Sequence, residues 1–389
     1  MSTTSTDGGA AIGVERYLGN VPTHLTPADL RAAAEAALPR PVFDYLDGGA
    51  ELERTVAANV AAYDSVVFEP RVLVDVSSVT TATTVLGREL SLPLVCSPTA
   101  FQKMVHPDGE AGAARAAASH GVAFCVSTSA STHVRDIRTA AGDDAVLWFQ
   151  MYFPGRADAT TLLGFARDAG CDAVVLTVDT PLTGARFRDV RNAMTLPPVV
   201  DDRSIWAERP DWVAAYQGQG PVRQEMMQHL SDPMNIVNAA MAWDDVEWLR
   251  EHWDGALVLK GLSHPDDARR GAETGVDAVW VSNHGGRQLD RAPATLSSLP
   301  AVAEAVAGRC EVLVDGGIRT GADLAAARAL GAVAGGIGRP YLWGLASGGE
   351  AGVGGVLTDL RSGLERTLAL LGCADVNLLT AAHIRGTAR

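Results

Sequence analysis

The feature that most constrains this chain is an alternation repeated along it. Short, almost uninterrupted apolar runs are each followed by a helical segment. The runs are Leu92–Ser97, Ala123–Ser127, Val146–Tyr152, Ala173–Val178, Ala256–Lys260, Ala278–Ser282, Val312–Asp315 and Val333–Ile337. A strand that is apolar along its whole length is buried on both faces, as parallel strands covered by helices are. Between the runs, Pro107–His120 stops at Gly121, Asp158–Ala169 at Gly170, Pro265–Thr274 at Gly275 and Ala322–Leu330 at Gly331. Acidic or proline starts and glycine stops are the expected helix boundaries. Strand–helix units in this number predict an α/β fold, a closed (β/α)8 TIM barrel.

The flanks fit around that barrel. Residues 26–70 read as a helical preface, opened by Thr26-Pro27 with Asp29 in the first turn, and Glu350–Leu371 as a closing helix ended by Gly372. Residues 1–25, rich in Ser, Thr, Gly and Ala, are expected to be a disordered tail, and 26–389 a single barrel domain. One connection is out of proportion. Met194–Met241, after the fourth strand, carries Pro197, Pro198, Pro210, Pro221 and Pro233 with no regular period. It reads as a long insertion at the barrel mouth.

Composition excludes several classes. An apolar fraction of 47% against 20% charged residues leaves no room for wholesale disorder. The net charge of −14 argues against a general nucleic-acid binder. No apolar run is long enough for a membrane span, and no leader peptide is expected at the N-terminus. The cysteines Cys96, Cys125, Cys171, Cys310 and Cys373 are widely spaced and form no CxxC pair. Neither a disulfide framework nor a metal site is expected, and a cytoplasmic location is the simplest.

In a βα barrel, chemistry sits at the C-terminal ends of the strands. Here those ends read Ser97-Pro98-Thr99-Ala100, Ser127-Thr128, Gln150-Met151-Tyr152, Thr177-Val178-Asp179, Lys260-Gly261, Ser282-Asn283-His284-Gly285-Gly286-Arg287, Asp315-Gly316-Gly317-Ile318-Arg319 and Gly338-Arg339. The last two form one anion site. Gly316, Gly317 and Gly338 permit close backbone approach, and Arg319 and Arg339 add charged donors at the place where this fold holds phosphate. Lys260 ends an apolar strand, either as a Schiff-base nucleophile or as a fixed cation beside an electron-rich cofactor. His284 and Arg287 flank a glycine pair, a turn that lets a proton-exchanging imidazole and a carboxylate-binding guanidinium face one ligand. Asp179 is placed to orient the imidazole, and Arg186 to supply a second carboxylate donor. His24, His106, His264 and His383 lack such company and read as surface or capping residues. No GxGxxG follows a strand, and no GxSxG elbow surrounds Ser97 or Ser127, so dinucleotide binding and serine-hydrolase chemistry are not indicated.

The combination of SNHGGRQLD, LVDGGIRTGADL and GIGRP, supported by PTAFQKMVHPDGE, FQMY and LTVDTP, resembles the FMN-dependent 2-hydroxy acid oxidase/dehydrogenase family from about Leu38 to Ile384. The resemblance implies FMN as cofactor and a 2-hydroxy acid as substrate, with oxygen or another acceptor taking the electrons. It places Pro98, Thr99 and Ala100 along the flavin, Ser127, Gln150 and Thr177 on its ring, and Lys260 with Ser282 at its electron-accepting edge. Asp315, Gly316, Gly317, Arg319, Gly338 and Arg339 would hold ribityl and phosphate. It implies His284 as base with Asp179 behind it, Tyr45, Arg186 and Arg287 on the substrate carboxylate, and Tyr152 on the substrate hydroxyl or the developing carbonyl. It also suggests a homotetramer. Ser129 stands where short-chain members such as glycolate oxidase carry an aromatic residue, and Thr183 where an apolar one is common. Both point to a roomier pocket and an aromatic or medium-chain substrate. The competing expectations are a quinone-linked lactate or mandelate dehydrogenase of the same fold, and a flavin-free Schiff-base aldolase built on Lys260.

Overall fold

Eight parallel strands close on themselves in chain order, in a computed structural model that describes residues 26–194 and 237–387. Three short strands precede them: β1 (Val66–Phe68), β2 (Thr83–Val85) and β3 (Arg88–Leu90). The barrel is β4 (Leu94–Cys96), β5 (Ala123–Ser127), β6 (Leu147–Met151), β7 (Ala173–Thr177), β8 (Ala256–Leu262), β9 (Ala278–Val281), β10 (Glu311–Asp315) and β11 (Ala334–Ile337). Closure is made by β11 on β4, with Gly335 opposite Leu94 and Ile337 opposite Cys96. All eight apolar runs are therefore the barrel strands, and their C-terminal ends share one rim.

Alternation along each strand divides the core. Inward side chains, among them Val95, Cys125, Val175, Val258 and Leu313, fill the barrel around an edge-on Trp148–Trp280 pair with ring centroids 6.1 Å apart. Outward side chains such as Leu147, Val174, Leu259 and Val314 pack beneath the helices. The barrel is thus a packed core and not a pore.

The helices follow their sequence signals closely. They include Gly109–Ser119, Arg156–Asp168, Pro265–Glu273 and Gly321–Ala329, each ending a residue or two from its glycine stop. The preface forms three helices, Pro27–Ala37, Arg40–Asp47 and Arg54–Asp64. The first opens with a capping box in which Thr26 and Asp29 satisfy each other's backbone N–H at 2.9 and 3.1 Å. The closing helix spans Arg339–Leu371 but breaks at Gly348-Gly349, where Gly349 has φ +60°, so the expected Glu350–Leu371 segment is its second half.

Two features were not anticipated. The β2–β3 hairpin plugs the N-terminal end of the barrel, burying Val85 and Leu90 against the inner core. Its turn, Leu86-Gly87, has φ +48° and +73°, the left-handed pair that a two-residue hairpin loop needs. In addition β1 pairs antiparallel with β12 (Ile384–Thr387), tying the preface to the C-terminus. The expected tail, 1–25, and all of the expected insertion except Met194 and residues 237–241 lie outside the described residues.

Candidate active site

The rim of the barrel and the end of the second preface helix meet in one cavity. Tyr45, Ser97, Pro98, Thr99, Ala100, Ser127, Gln150, Tyr152, Thr177, Arg186, Lys260, His284, Arg287, Asp315, Gly316, Gly317, Arg319, Gly338 and Arg339 all line it, joined by Leu46, Val105 and Leu342. Of the residues singled out from sequence, Asp179 and Ser282 stand directly behind the wall. Asp179 backs His284, and the Ser282 hydroxyl accepts from Lys260 at 3.0 Å and from the His284 N–H at 3.1 Å.

One side of the cavity is a polar arc across adjacent strands. The Ser127 hydroxyl donates to Gln150 Oε1 at 3.2 Å, and Gln150 Nε2 donates to Thr177 Oγ1 at 3.0 Å. Lys260, almost fully buried, sits 3.1 Å from Asp315 Oδ2. Burial opposes its charge, but Asp315 and then Asp179 outweigh that and raise its pKa. A Schiff-base lysine needs a depressed pKa to act as a nucleophile. The structure therefore makes Lys260 a fixed cation, and the aldolase alternative loses its central residue.

The far end of the cavity is built for an anion. Arg319 and Arg339 are half-buried, as is Arg287 nearby, and none of the three pairs with a carboxylate among the described residues. Arg339 donates instead to the carbonyls of Asp47 at 2.8 Å, Gly285 at 2.8 Å and Gly48 at 2.7 Å. Burial, then repulsion from neighbouring guanidiniums, pushes Arg287 and Arg339 down to about 10. Cations left this way favour an incoming anion. The helix beginning at Arg339 adds the positive end of its dipole. The glycines here differ in cause. At Gly317, φ is +106° and a Cβ would lie 2.2 Å from the Asn59 carbonyl, so the preface helix excludes a side chain. At Gly338 a Cβ would meet only Thr99 Cγ2 at 3.7 Å. The protein itself therefore excludes a side chain at Gly317 but not at Gly338.

At the cavity mouth Tyr45 is held between two cations. The guanidinium of Arg186 lies 5.2 Å from its ring centroid and that of Arg287 5.0 Å. Arg287 is fixed by the carbonyls of Tyr45 and Gly48, at 2.7 and 2.8 Å, where helix Arg40–Asp47 exposes its unpaired carbonyl end. Arg186 pairs with Asp189 at 2.9 Å. His284, at φ +58°, places Nδ1 3.0 Å from Asp179 Oδ1, which leaves Nε2 to face the cavity. Gly261 makes room for this pair: a Cβ there would lie 2.6 Å from that of Asp179. Burial raises the Asp179 carboxyl, but the facing His284 charge, their hydrogen bond and Lys260 together hold it below its ordinary value. Burial keeps the Tyr152 hydroxyl protonated well above its usual range.

Several contributors carried no obvious signal. Asn59 and Asn283 exchange side-chain hydrogen bonds at 2.9 and 2.8 Å, joining the preface to the His284 loop. Gln288 bonds the carbonyls of Asp179 and Leu182, at 3.1 and 3.0 Å, and accepts from Gly184 at 3.2 Å. Arg188 bridges Asp44 and Asp47 at 3.4 and 3.3 Å and also pairs with Glu53. Ser129 and Thr183 are not among the lining residues. Ser129 is buried, its carbonyl accepting from Phe101 at 3.1 Å, and Thr183 is exposed.

Comparison with known proteins places this geometry. The FMN-dependent dehydrogenase family matches residues 34–386. A peroxisomal (S)-2-hydroxy-acid oxidase of Oryza sativa subsp. japonica is 40% identical, covering 94% of this chain and 96% of its own. Among solved structures, mandelate oxidase with benzoyl-formic acid is 38% identical with a TM-score of 0.80, covering 93% of this chain and 98% of its own. The monotopic membrane protein (S)-mandelate dehydrogenase is 34% identical with a TM-score of 0.86, covering 93% and 99%. The chain belongs to the FMN-dependent dehydrogenase family. It is a flavin-dependent oxidoreductase of the 2-hydroxy acid oxidase and dehydrogenase group, acting on a CH–OH bond.

The residues present fit FMN. Ser97 Oγ and Asp315 Oδ1 are buried without a hydrogen-bond partner, on the cavity wall between the polar arc and the arginines. A ribityl chain offers hydroxyls to such atoms, and a phosphate would answer Arg319 and Arg339.

Proposed function

We propose that this enzyme oxidises an aromatic or medium-chain 2-hydroxy acid to the 2-oxo acid, with oxygen as the final acceptor and peroxide as its product. The observation that carries the reading is the arrangement of Arg186 and Arg287 around Tyr45, beside the free Nε2 of His284. Two guanidiniums and a phenol hold the substrate carboxylate. That grip presents the α-carbon and its hydroxyl to His284. With Nδ1 committed to Asp179, the imidazole takes the proton at Nε2, and Asp179 stabilises the cation so formed. Tyr152 stays protonated and donates to the substrate oxygen. FMN, when bound along Pro98–Ala100, supplies the two-electron acceptor. Ser127, Gln150 and Thr177 orient its ring, and Asp315, Gly316, Gly317, Arg319, Gly338 and Arg339 hold its ribityl phosphate. Lys260, positioned by Ser282 and Asp315, favours negative charge at the ring edge.

The bulky substrate is supported by likeness to mandelate oxidase, whose solved structure carries benzoyl-formic acid. Comparing kcat/KM for glycolate, lactate and mandelate tests it: a clear preference for mandelate is expected, and one for glycolate would contradict it. A second reading keeps the chemistry but passes electrons to a membrane quinone, favoured by likeness to (S)-mandelate dehydrogenase. Peroxide release on admission of air separates the two. A cytoplasmic homotetramer completes the proposal, to be checked by cell fractionation and sedimentation.

A further inference from the structure

Glu110 is completely buried, on the first turn of helix Gly109–Ser119 that follows β4. Its partners among the described residues are neutral donors. The N–H groups of Gln102 and Ser131 donate to Oε1 at 3.0 and 2.7 Å. The Ser131 hydroxyl lies 2.8 Å from each oxygen, and the Thr132 hydroxyl donates to Oε2 at 3.0 Å. Burying a carboxylate without a cation is costly even when its lone pairs are filled. The helix N-terminus offsets only part of that cost.

The donors come from two different loops, Gln102 from the one after β4 and Ser131 and Thr132 from the one after β5. Between them lies Phe101, at φ +57°, a strained conformation for an aromatic residue. Its N–H is held by the Ser129 carbonyl, and the next N–H, that of Gln102, is held by Glu110. The Phe101 ring then stands 6.3 Å from that of Tyr45. The Gln102 amide carries the restraint the other way. It donates to Thr99 Oγ1 at 2.9 Å and to the Tyr341 hydroxyl at 3.1 Å, and Tyr341 donates to the Ser97 carbonyl at 3.0 Å.

We propose that Glu110 is a positioning residue for the oxidation. Through Gln102 it holds the Ser97–Ala100 wall against the cofactor, and through Phe101 it sets Tyr45 between the two arginines. The inference rests on the reading that FMN lies along Pro98–Ala100.

The test is Glu110→Gln in the full chain. It keeps the volume but replaces one acceptor oxygen by a donor facing donors. FMN titration of the stripped protein, the visible circular dichroism of the bound flavin, steady-state kinetics and the melting temperature of the FMN-free chain are measured together. We expect the FMN Kd to rise about tenfold, roughly the effect of one lost charged hydrogen bond. The flavin signal should change, and KM should rise more than kcat falls. Wild-type Kd, flavin signal and KM would overturn the proposal. So would a lower melting temperature with those three unchanged. Gln102→Met decides the matter if Glu110→Gln does not fold. It cuts the link to Thr99 and Tyr341 but keeps the N–H on Glu110, so FMN Kd should rise while KM stays; an unchanged Kd would overturn the proposal. A wild-type chain that takes up no FMN would instead remove the underlying reading.

Discussion

Asp179 Oδ1 lies 3.0 Å from His284 Nδ1, and its other carboxylate oxygen is buried without a partner. That asymmetry fixes the imidazole tautomer and directs Nε2 to the substrate. His284→Gln should bind FMN with wild-type affinity yet lower the rate of flavin reduction by about 10²–10⁴-fold, the usual loss for a general base. Rapid mixing with substrate in the absence of oxygen measures it; a loss under tenfold would remove His284 from the proton transfer.

The same pair makes a statement about stability. Asp179 has a folded-state pKa below the ordinary 3.8, so its contribution is fully present above about pH 4 and is lost as pH falls through the lower folded value. The stability gap between wild type and Asp179→Asn should therefore narrow on acidification below about pH 4. Denaturant titrations across that range would show it, and a gap that widened would contradict it.

Arg287 donates to two carbonyls through one nitrogen and flanks Tyr45 with the rest of its planar group. Lysine cannot reproduce both contacts. Arg287→Lys should raise KM about 10–100-fold with a smaller change in kcat. Arg186→Lys should cost less, because Arg186 is balanced by Asp189. Steady-state kinetics of the two variants, with KM effects in the reverse order, would overturn this division of labour.

Arg319 and Arg339 share the far end of the cavity with no carboxylate paired to either among the described residues, and a dianion there would relieve the repulsion that Arg339 feels from Arg319. FMN should raise the melting temperature of the stripped protein by several degrees, as a ligand that binds only the folded state does. Riboflavin, which lacks the phosphate, should raise it much less. Equal shifts in a thermal melt would show that the arginines do not read the phosphate.

The barrel was legible because parallel strands buried on both faces leave continuous apolar runs, and helices end at glycines. The cavity wall was legible for a related reason: polar residues such as Gln150, Thr177 and Lys260 stand out at the ends of such runs. What stayed hidden was long-range. Nothing near Gly48 in sequence says that its carbonyl receives both Arg287 and Arg339. The Asn59–Asn283 pair joins residues far apart in sequence. The hairpin plug was missed because its alternation covers only a few residues, from Thr83 to Leu90. Glu110 has the sequence context of any acidic first-turn residue, and only its burial against two loops reveals more.

The central claim is that this cavity takes electrons from a 2-hydroxy acid. Purified protein, freed of oxygen, should be mixed with glycolate and with the separate enantiomers of lactate and mandelate while its visible spectrum is followed. The account predicts that one enantiomer of mandelate bleaches the flavin band fastest, and that air restores it with release of peroxide. A flavin band that no 2-hydroxy acid bleaches would contradict the account.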